Sequence, residues 1–396
     1  MINPYFVYFI SFVGVQIVYL FGWSDVYPNI SLSLILFNII TFIITLILGV
    51  KHYKKNKNKF YITEHSNKRL LPLIFLFVGY FAEYMYTDGM PLTNPKIVYA
   101  EYTGIPTLHV ILFTFTIFYS TYLFYLFISN KNKWVFISFL STLLPAILLI
   151  SRGMLMNIFL GCFFVYAQYV ISKKKLSKTV IVGIVSVVLV FLYMFGLFGN
   201  YRSNPRTRNV FNTNYVLRIG EATEDFRNSH IPKELFWSYI YISSPLANLQ
   251  KNINEYEYEI NAENLRKFVT VEIIPDFISK RISSTYYEDI SKKVKLIKRE
   301  LVVGTMYMGA YYYIGWVGII GLFLYMLLII TVYMKIVKNS KEFYVVGIAM
   351  LCNIIVLNTF SNILAFSGMV FQLAYPVMFI VIQKCIKKYR TLYQGG

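Results

Sequence analysis

FYVVGIAMLCNIIVLNTFSNILAFSGMVFQLAYPVMFIVIQ, residues Phe343–Gln383, runs for 41 residues without an acidic or basic side chain. About 20 apolar residues cross the ~30 Å hydrocarbon layer of a bilayer as a helix. This stretch is too long for one crossing, and Asn358, Ser361, Asn362, Ser367 and Gly368 interrupt it near its middle. It reads as two membrane helices joined by a tight polar turn.

The same criterion, carried outward, finds further spans at Tyr5–Gly22, Ile30–Val50, Leu70–Tyr86, Thr107–Ile128, Trp134–Ile150, Met154–Ile171 and Thr179–Phe198, and within Leu301–Met334. Only 14% of the 396 residues are charged, against about 25% in soluble domains, and mean hydropathy is +0.55. A water-soluble core of this length is excluded. Three cysteines exclude a disulfide-stapled scaffold. The expected fold class is an all-α polytopic membrane protein with about ten transmembrane helices and one large periplasmic loop. Helices one to seven occupy 1–198, the loop 199–300, and helices eight to ten 301–396.

Lysine and arginine set the orientation. With a cytoplasmic N-terminus, segments 51–69, 129–133, 172–178, 335–342 and the C-terminal tail hold twenty basic residues. The short outer elements hold two, Lys96 and Arg152. Both termini are therefore expected in the cytoplasm. The net charge of +19 is then mostly membrane topology, not a nucleic-acid footprint.

Segment 199–300 is the one water-exposed stretch long enough to hold a site. Lys233–Ile253 (KELFWSYIYISSPLANLQKNI) reads as an amphipathic helix lying against the membrane or the bundle. Leu265–Ile282 reads as a second, broken at Pro275. The outer loop Asp88–Pro106, with Pro91, Pro95, Gly104 and Pro106, is a shaped turn. No internal repeat is evident, which weakens an inverted-repeat transporter reading.

Few side chains are placed for chemistry. Arg152, in Ser151-Arg152-Gly153, lies between two spans with almost no loop. Its planar fork suits a phosphate, and capping a helix end is the plain alternative. Arg202, Arg206, Arg208 and Arg218 follow span seven with no acid between Gly199 and Gly220. Glu83 is a carboxylate inside an apolar span, where ionisable groups face a cavity or a cationic partner. It is a candidate base, or a partner for one of the arginines. His109, near the outer end of span four, and His230, beside Pro232, are candidate bases too. Glu255, Glu257 and Glu259 (EYEYE) would share one face of a strand, a cation arrangement less favoured than a solvated turn. No Cys/His cluster, phosphate-binding glycine loop or hydrolase motif is present.

Several short stretches, taken in order, carry a resemblance. They are AEYMYTDGMPLTNP (82–95), YTGIPTLHV (102–110), LLPAILLISRGMLMN (143–157), FGNYRSNPR (198–206), YISSPLANL (241–249) and GTMYMGAYYYIGWVGIIG (304–321). Placed as they are relative to the spans, they make the chain similar to the bacterial O-antigen (oligosaccharide repeat-unit) polymerases of the Wzy type. An arginine-x10-glycine repeat of some members is not matched from Arg152 or Arg202.

The resemblance implies a GT-C-like fold in the bacterial inner membrane with an active site facing the periplasm. It implies a metal-independent, inverting glycosyl transfer without a cofactor. The donor is an oligosaccharide on undecaprenyl diphosphate and the acceptor another lipid-linked repeat unit. Membrane lipids and a chain-length regulator are the other implied partners, and nucleic acid is not one. Arg152 and Arg202 are implied to hold the diphosphate, with Arg206 and Arg208 as further binding candidates. Glu83, His109, Glu221 and His230 stand as unranked candidates for the base that takes the acceptor proton. An O-antigen ligase or a flippase of the lipid-linked unit are the alternatives, and a flippase would need charge within its spans.

Overall fold

The computed structural model describes residues 2–55, 60–62, 70–94, 96–97, 102–173, 177–204, 209–282 and 293–393. It is an all-α membrane protein. Six helices are long and apolar enough to cross a bilayer: α2 (Leu32–Lys55), α4 (Leu108–Asn130), α7 (Arg152–Ser172), the Val185–Ser203 part of α8 (Lys178–Ser203), α14 (Tyr307–Val337) and the segment Ser367–Ile386. Four shorter apolar helical segments, Pro4–Tyr19 (α1), Leu70–Tyr86 (α3), Lys133–Leu148 and Tyr344–Leu357 (α15), lie at the remaining expected spans.

Local chemistry sets the helix ends. Asn3 caps α1 by accepting from the Phe6 N–H at 3.0 Å, with Pro4 in the first turn. Lys133–Leu148 is two pieces, α5 (Lys133–Ser141) and α6 (Leu144–Leu148), where the sequence read one span. Pro145 has no N–H to give Ser141, so the ladder breaks there. Thr142, at the break, accepts from Ser120 at 2.7 Å and donates to the Phe139 carbonyl at 2.6 Å. The turn after α15 is also longer than expected. Nine residues, 358–366, separate α15 from α16 (Ser367–Val370), and α17 (Ala374–Tyr393) follows.

Helix α4 sits at the centre. Its buried hydroxyls at Thr114, Thr116, Ser120 and Thr121 donate to carbonyls one turn back at 2.6–2.9 Å, which satisfies them without water. The missing side chain of Gly161 lets α7 close on Thr121. Ten residues further on, Lys131 lies over the Tyr169 ring at 5.5 Å, so α4 and α7 run parallel. Helix α3 is antiparallel to α4, with Tyr80 bonded to Thr116 (3.1 Å) and Gly79 against Leu112.

Described residues between α8 and α14 pack into this bundle. Leu235–Glu255 (α11) buries Ser243–Gln250 among α1, α8 and α14, with Trp237 donating to Asn200 Oδ1 at 2.7 Å. It is an element of the bundle wall. Three short helices flank it, Asn214–Ile219 (α9), Glu224–Asn228 (α10) and Ala262–Phe268 (α12). A π-helical turn (Val269–Ile273) leads from α12 to the expected break at Pro275, and α13 (Asp276–Ile282) follows. The EYEYE stretch forms no strand. Tyr256 and Tyr258 pack on Tyr312 and Tyr311 of α14, while Glu255, Glu257 and Glu259 stay exposed. Gly315, at φ +61°, kinks α14 where the Tyr258 ring lies against it.

Candidate functional site

Glu83 and His109, read separately in the sequence, meet. Helix α3 delivers Glu83 in its last turn, and α4 delivers His109 in its first. The imidazole Nδ1 lies 3.1 Å from Oε1 and 3.0 Å from Oε2 of the carboxyl group. Residues 102–105 close over the pair. Gly104 has φ +57°, and a Cβ there would stand 2.6 Å from Glu83 Oε1 and 2.8 Å from His109 Nδ1. Only glycine fits both that backbone and that space. The Ile105 N–H is 3.4 Å from Oε1, and the Tyr102 ring meets the imidazole edge-on at 5.5 Å.

The partners differ in access. Glu83 is sealed at 0% exposure, while the His109 side chain is 20% exposed. A carboxylate only accepts hydrogen bonds, so it fixes the proton of a neutral imidazole on Nδ1 and leaves the lone pair on Nε2. The arrangement sets a partly exposed imidazole against a buried carboxyl group. The sequence reads Glu83 as a candidate base or a partner for an arginine; the described contact is with neither an arginine nor solvent but with His109.

Arg152 is the first residue of α7 and is half-buried. Ser151 caps this helix through the Met154 N–H at 3.3 Å. His109 precedes Thr121 by 12 residues, and Arg152 precedes Gly161 by nine. At ~1.5 Å per residue along parallel helices, the two therefore lie within about 5 Å of the same height. Met369 of α16 accepts from Asn157 Nδ2 at 3.4 Å, and α16 also packs on α4.

The other candidates are spread. Arg202 is exposed in the last turn of α8, and Arg218 is exposed at the end of α9. Arg206 and Arg208 lie outside the described residues. Glu221 is ion-paired with Lys298, and its carbonyl accepts from the Asp25 N–H at 2.9 Å, joining the α1–α2 connection to the α9–α10 turn. His230 is exposed in the turn before α11. A shallow open cleft lies nearby, lined by Phe21, Trp23, Thr223, Asp225, Phe226 and Ser229, and neither Glu83 nor His109 lines it. Among the described residues, no group of three His, Cys, Asp or Glu could hold a metal ion.

One group escaped the sequence reading. Glu272, in the π-helical turn, is 5% exposed, and its carboxyl group accepts from Asn362 Nδ2 at 2.7 Å. Burial pushes its pKa up to about 7, against which the Asn362 hydrogen bond acts only in part. The one signal in the sequence is a lone acid among apolar neighbours, VTVEIIP (269–275).

No family model matches the chain, and it matches no curated protein and no solved structure.

Proposed function

We propose that this chain is an O-antigen polymerase, a metal-independent inverting glycosyltransferase acting on undecaprenyl-diphosphate-linked oligosaccharides. In this reading ten helices span the bacterial inner membrane, both termini are cytoplasmic, and the site faces the periplasm. The observation that carries it is the Glu83–His109 pair, level with Arg152 at the end of the bundle away from Lys131 and Lys173. The resemblance of the motif series supplies the substrate class.

The reaction assigns each residue one task. The acceptor hydroxyl oxygen attacks the anomeric carbon of the donor sugar. As that bond forms, the bond from the anomeric carbon to the phosphate oxygen breaks, and its electron pair leaves with the lipid diphosphate. His109 Nε2 takes the hydroxyl proton while Glu83 holds Nδ1–H and stabilises the imidazolium. Arg152 and Arg202 bind the diphosphate and stabilise the charge that develops on it. Donor and acceptor are both lipid-linked, which suits a site at the membrane surface.

The glycan profile of a deletion strain tests the reading. Lipopolysaccharide carrying a single repeat identifies a polymerase. Absence of O-antigen from the core identifies a ligase, and loss of repeat units from the outer face identifies a flippase.

A further inference from the structure

Helix α16 is four residues long and is gripped from two sides. On one side, the Ser367 N–H donates to Asp276 Oδ1 (2.8 Å), the Phe277 N–H donates to Ser367 Oγ (3.0 Å), and the Asp276 N–H donates to the Ala365 carbonyl (2.8 Å). Asp276 and Ser367 thus cap each other's helices. Burial raises the Asp276 pKa, but its hydrogen bonds to Ser367 and Lys280 outweigh this and hold it below the ordinary value. On the other side, Met369 Sδ accepts from Asn157 Nδ2 (3.4 Å) in the second turn of α7. Gln372 extends the grip by donating to the Met369 carbonyl (3.0 Å) and accepting from Asn353 (3.2 Å).

The 262–282 segment meets the 358–366 turn at a second point. Asn362 Nδ2 donates to both the Glu272 carbonyl (2.8 Å) and the Glu272 carboxyl group (2.7 Å). Among the described residues, this junction holds a nearly buried carboxyl group against the Asn362 side-chain donor.

We propose that segment 262–282 is a proton-responsive latch on residues 358–367, closed while Glu272 is protonated, and that its opening loosens α16 from the first turn of α7 and displaces Arg152. This rests on the reading of Arg152 as a diphosphate-binding residue. Among the described residues, the charged and titratable groups on the elements packed against Glu272 are few. Helix α12 carries Glu263 and Lys267, paired with each other at 2.8 Å, and Arg266. Helix α13 carries the Asp276–Lys280 pair and Arg281, and α14 contributes the Tyr325 hydroxyl, which donates to the Ile273 carbonyl at 3.2 Å. The 358–366 turn carries no charged side chain.

The sign follows from linkage. A closed-state carboxyl near 7, against an ordinary 4.5, favours closure most strongly below pH 4.5. That advantage is lost as the pH rises through 7. Between pH 6 and pH 8 the closing equilibrium weakens about tenfold.

Hydrogen exchange on the full chain in nanodiscs tests this, with each pH corrected for intrinsic exchange. Peptides covering 272–282 and 364–370 are expected to lose protection about tenfold from pH 6 to pH 8, and the 150–157 peptide is expected to follow. Glu272→Gln keeps the Asn362 hydrogen bond without the charge, so its protection is expected to stay flat. Protection within α15 reports that the fold is intact. Equal wild-type protection at both pH values, or a wild-type slope in Glu272→Gln, overturns the latch. A slope at 364–370 with none at 150–157 overturns the coupling to Arg152. Neither outcome depends on polymerase activity, so the glycan profile fails or stands separately.

Discussion

Glu83 and His109 are 26 residues apart in the chain, and both carboxyl oxygens of one lie 3.0–3.1 Å from Nδ1 of the other. The contact joins the last turn of α3 to the first turn of α4 across a loop that Gly104 closes. A fully buried carboxyl group needs a polar partner of good geometry, and the imidazole supplies it. The pair is therefore the natural place to perturb the protein.

Gly104→Ala attacks the pair through the backbone. A residue with a Cβ in the left-handed region costs ~1–2 kcal/mol, and here the Cβ also displaces Glu83 Oε1 and His109. Gly22 is the matched control, with φ +62° and open space around it. Gly104→Ala is expected to lose polymer and several degrees of melting temperature in detergent. Gly22→Ala is expected to lose only the smaller thermal increment. Equal behaviour of the two variants removes the special role of the loop.

Glu83→Gln separates orientation from packing. The amide keeps the volume but donates to Nδ1, which moves the imidazole proton to Nε2 and removes the base. Polymerisation is expected to fall ~10²–10⁴-fold while melting changes little, the scale of general-base catalysis. His109→Ala should lose as much rate and also destabilise the fold by ~1–3 kcal/mol, because among the described residues it leaves a buried carboxyl group with only the Ile105 N–H beside it. Single-turnover assays beside thermal unfolding distinguish the two effects.

Arg152→Ala and Arg202→Ala are expected to leave single-repeat product in cells at normal protein levels. Loss of one donor to a developing anion costs ~3–4 kcal/mol, a 10²–10³-fold rate loss. Arg152→Lys keeps the charge without the fork and is expected to be partly active. A normal ladder from Arg202→Ala alone moves its part of the clamp to Arg206 or Arg208.

Labelling of introduced cysteines tests the orientation. Glu257→Cys, on the exposed edge of the EYEYE stretch, is expected to react from the periplasm. Lys54→Cys, at the lysine-rich end of α2, is expected to react only from the cytoplasm. Reaction of position 257 from the cytoplasm alone reverses the site's side.

Most helices were legible because a bilayer imposes one strong rule, that a crossing needs a long apolar run. Thr107–Ile128 became Leu108–Asn130 and Tyr5–Gly22 became Pro4–Tyr19, each within a turn. The break at Thr142 was not legible, since Pro145 bends a helix without interrupting its apolar pattern. Both members of the Glu83–His109 pair were legible singly, as an acid inside a span and a histidine at a span's mouth. Their meeting was not, because it depends on antiparallel packing and on the turn at Gly104. Glu221 and His230 were equally legible as candidates; Glu221 is ion-paired with Lys298 and His230 is exposed, and they lie apart from the Glu83–His109 pair. Glu272 carried only the weak signal of a lone acid among apolar neighbours, and a single acid in an amphipathic helix ordinarily faces water. Its burial comes from the 358–366 turn, 90 residues away.

The most direct measurement is elongation by the purified protein in proteoliposomes supplied with undecaprenyl-diphosphate-linked repeat units and excess EDTA. The expected result is a ladder of two or more repeats with release of undecaprenyl diphosphate, abolished by Arg152→Ala and by Glu83→Gln. Activity that returns only when magnesium or manganese is added contradicts a clamp made of arginines. Repeat units that cross the bilayer without lengthening contradict the glycosyltransferase itself.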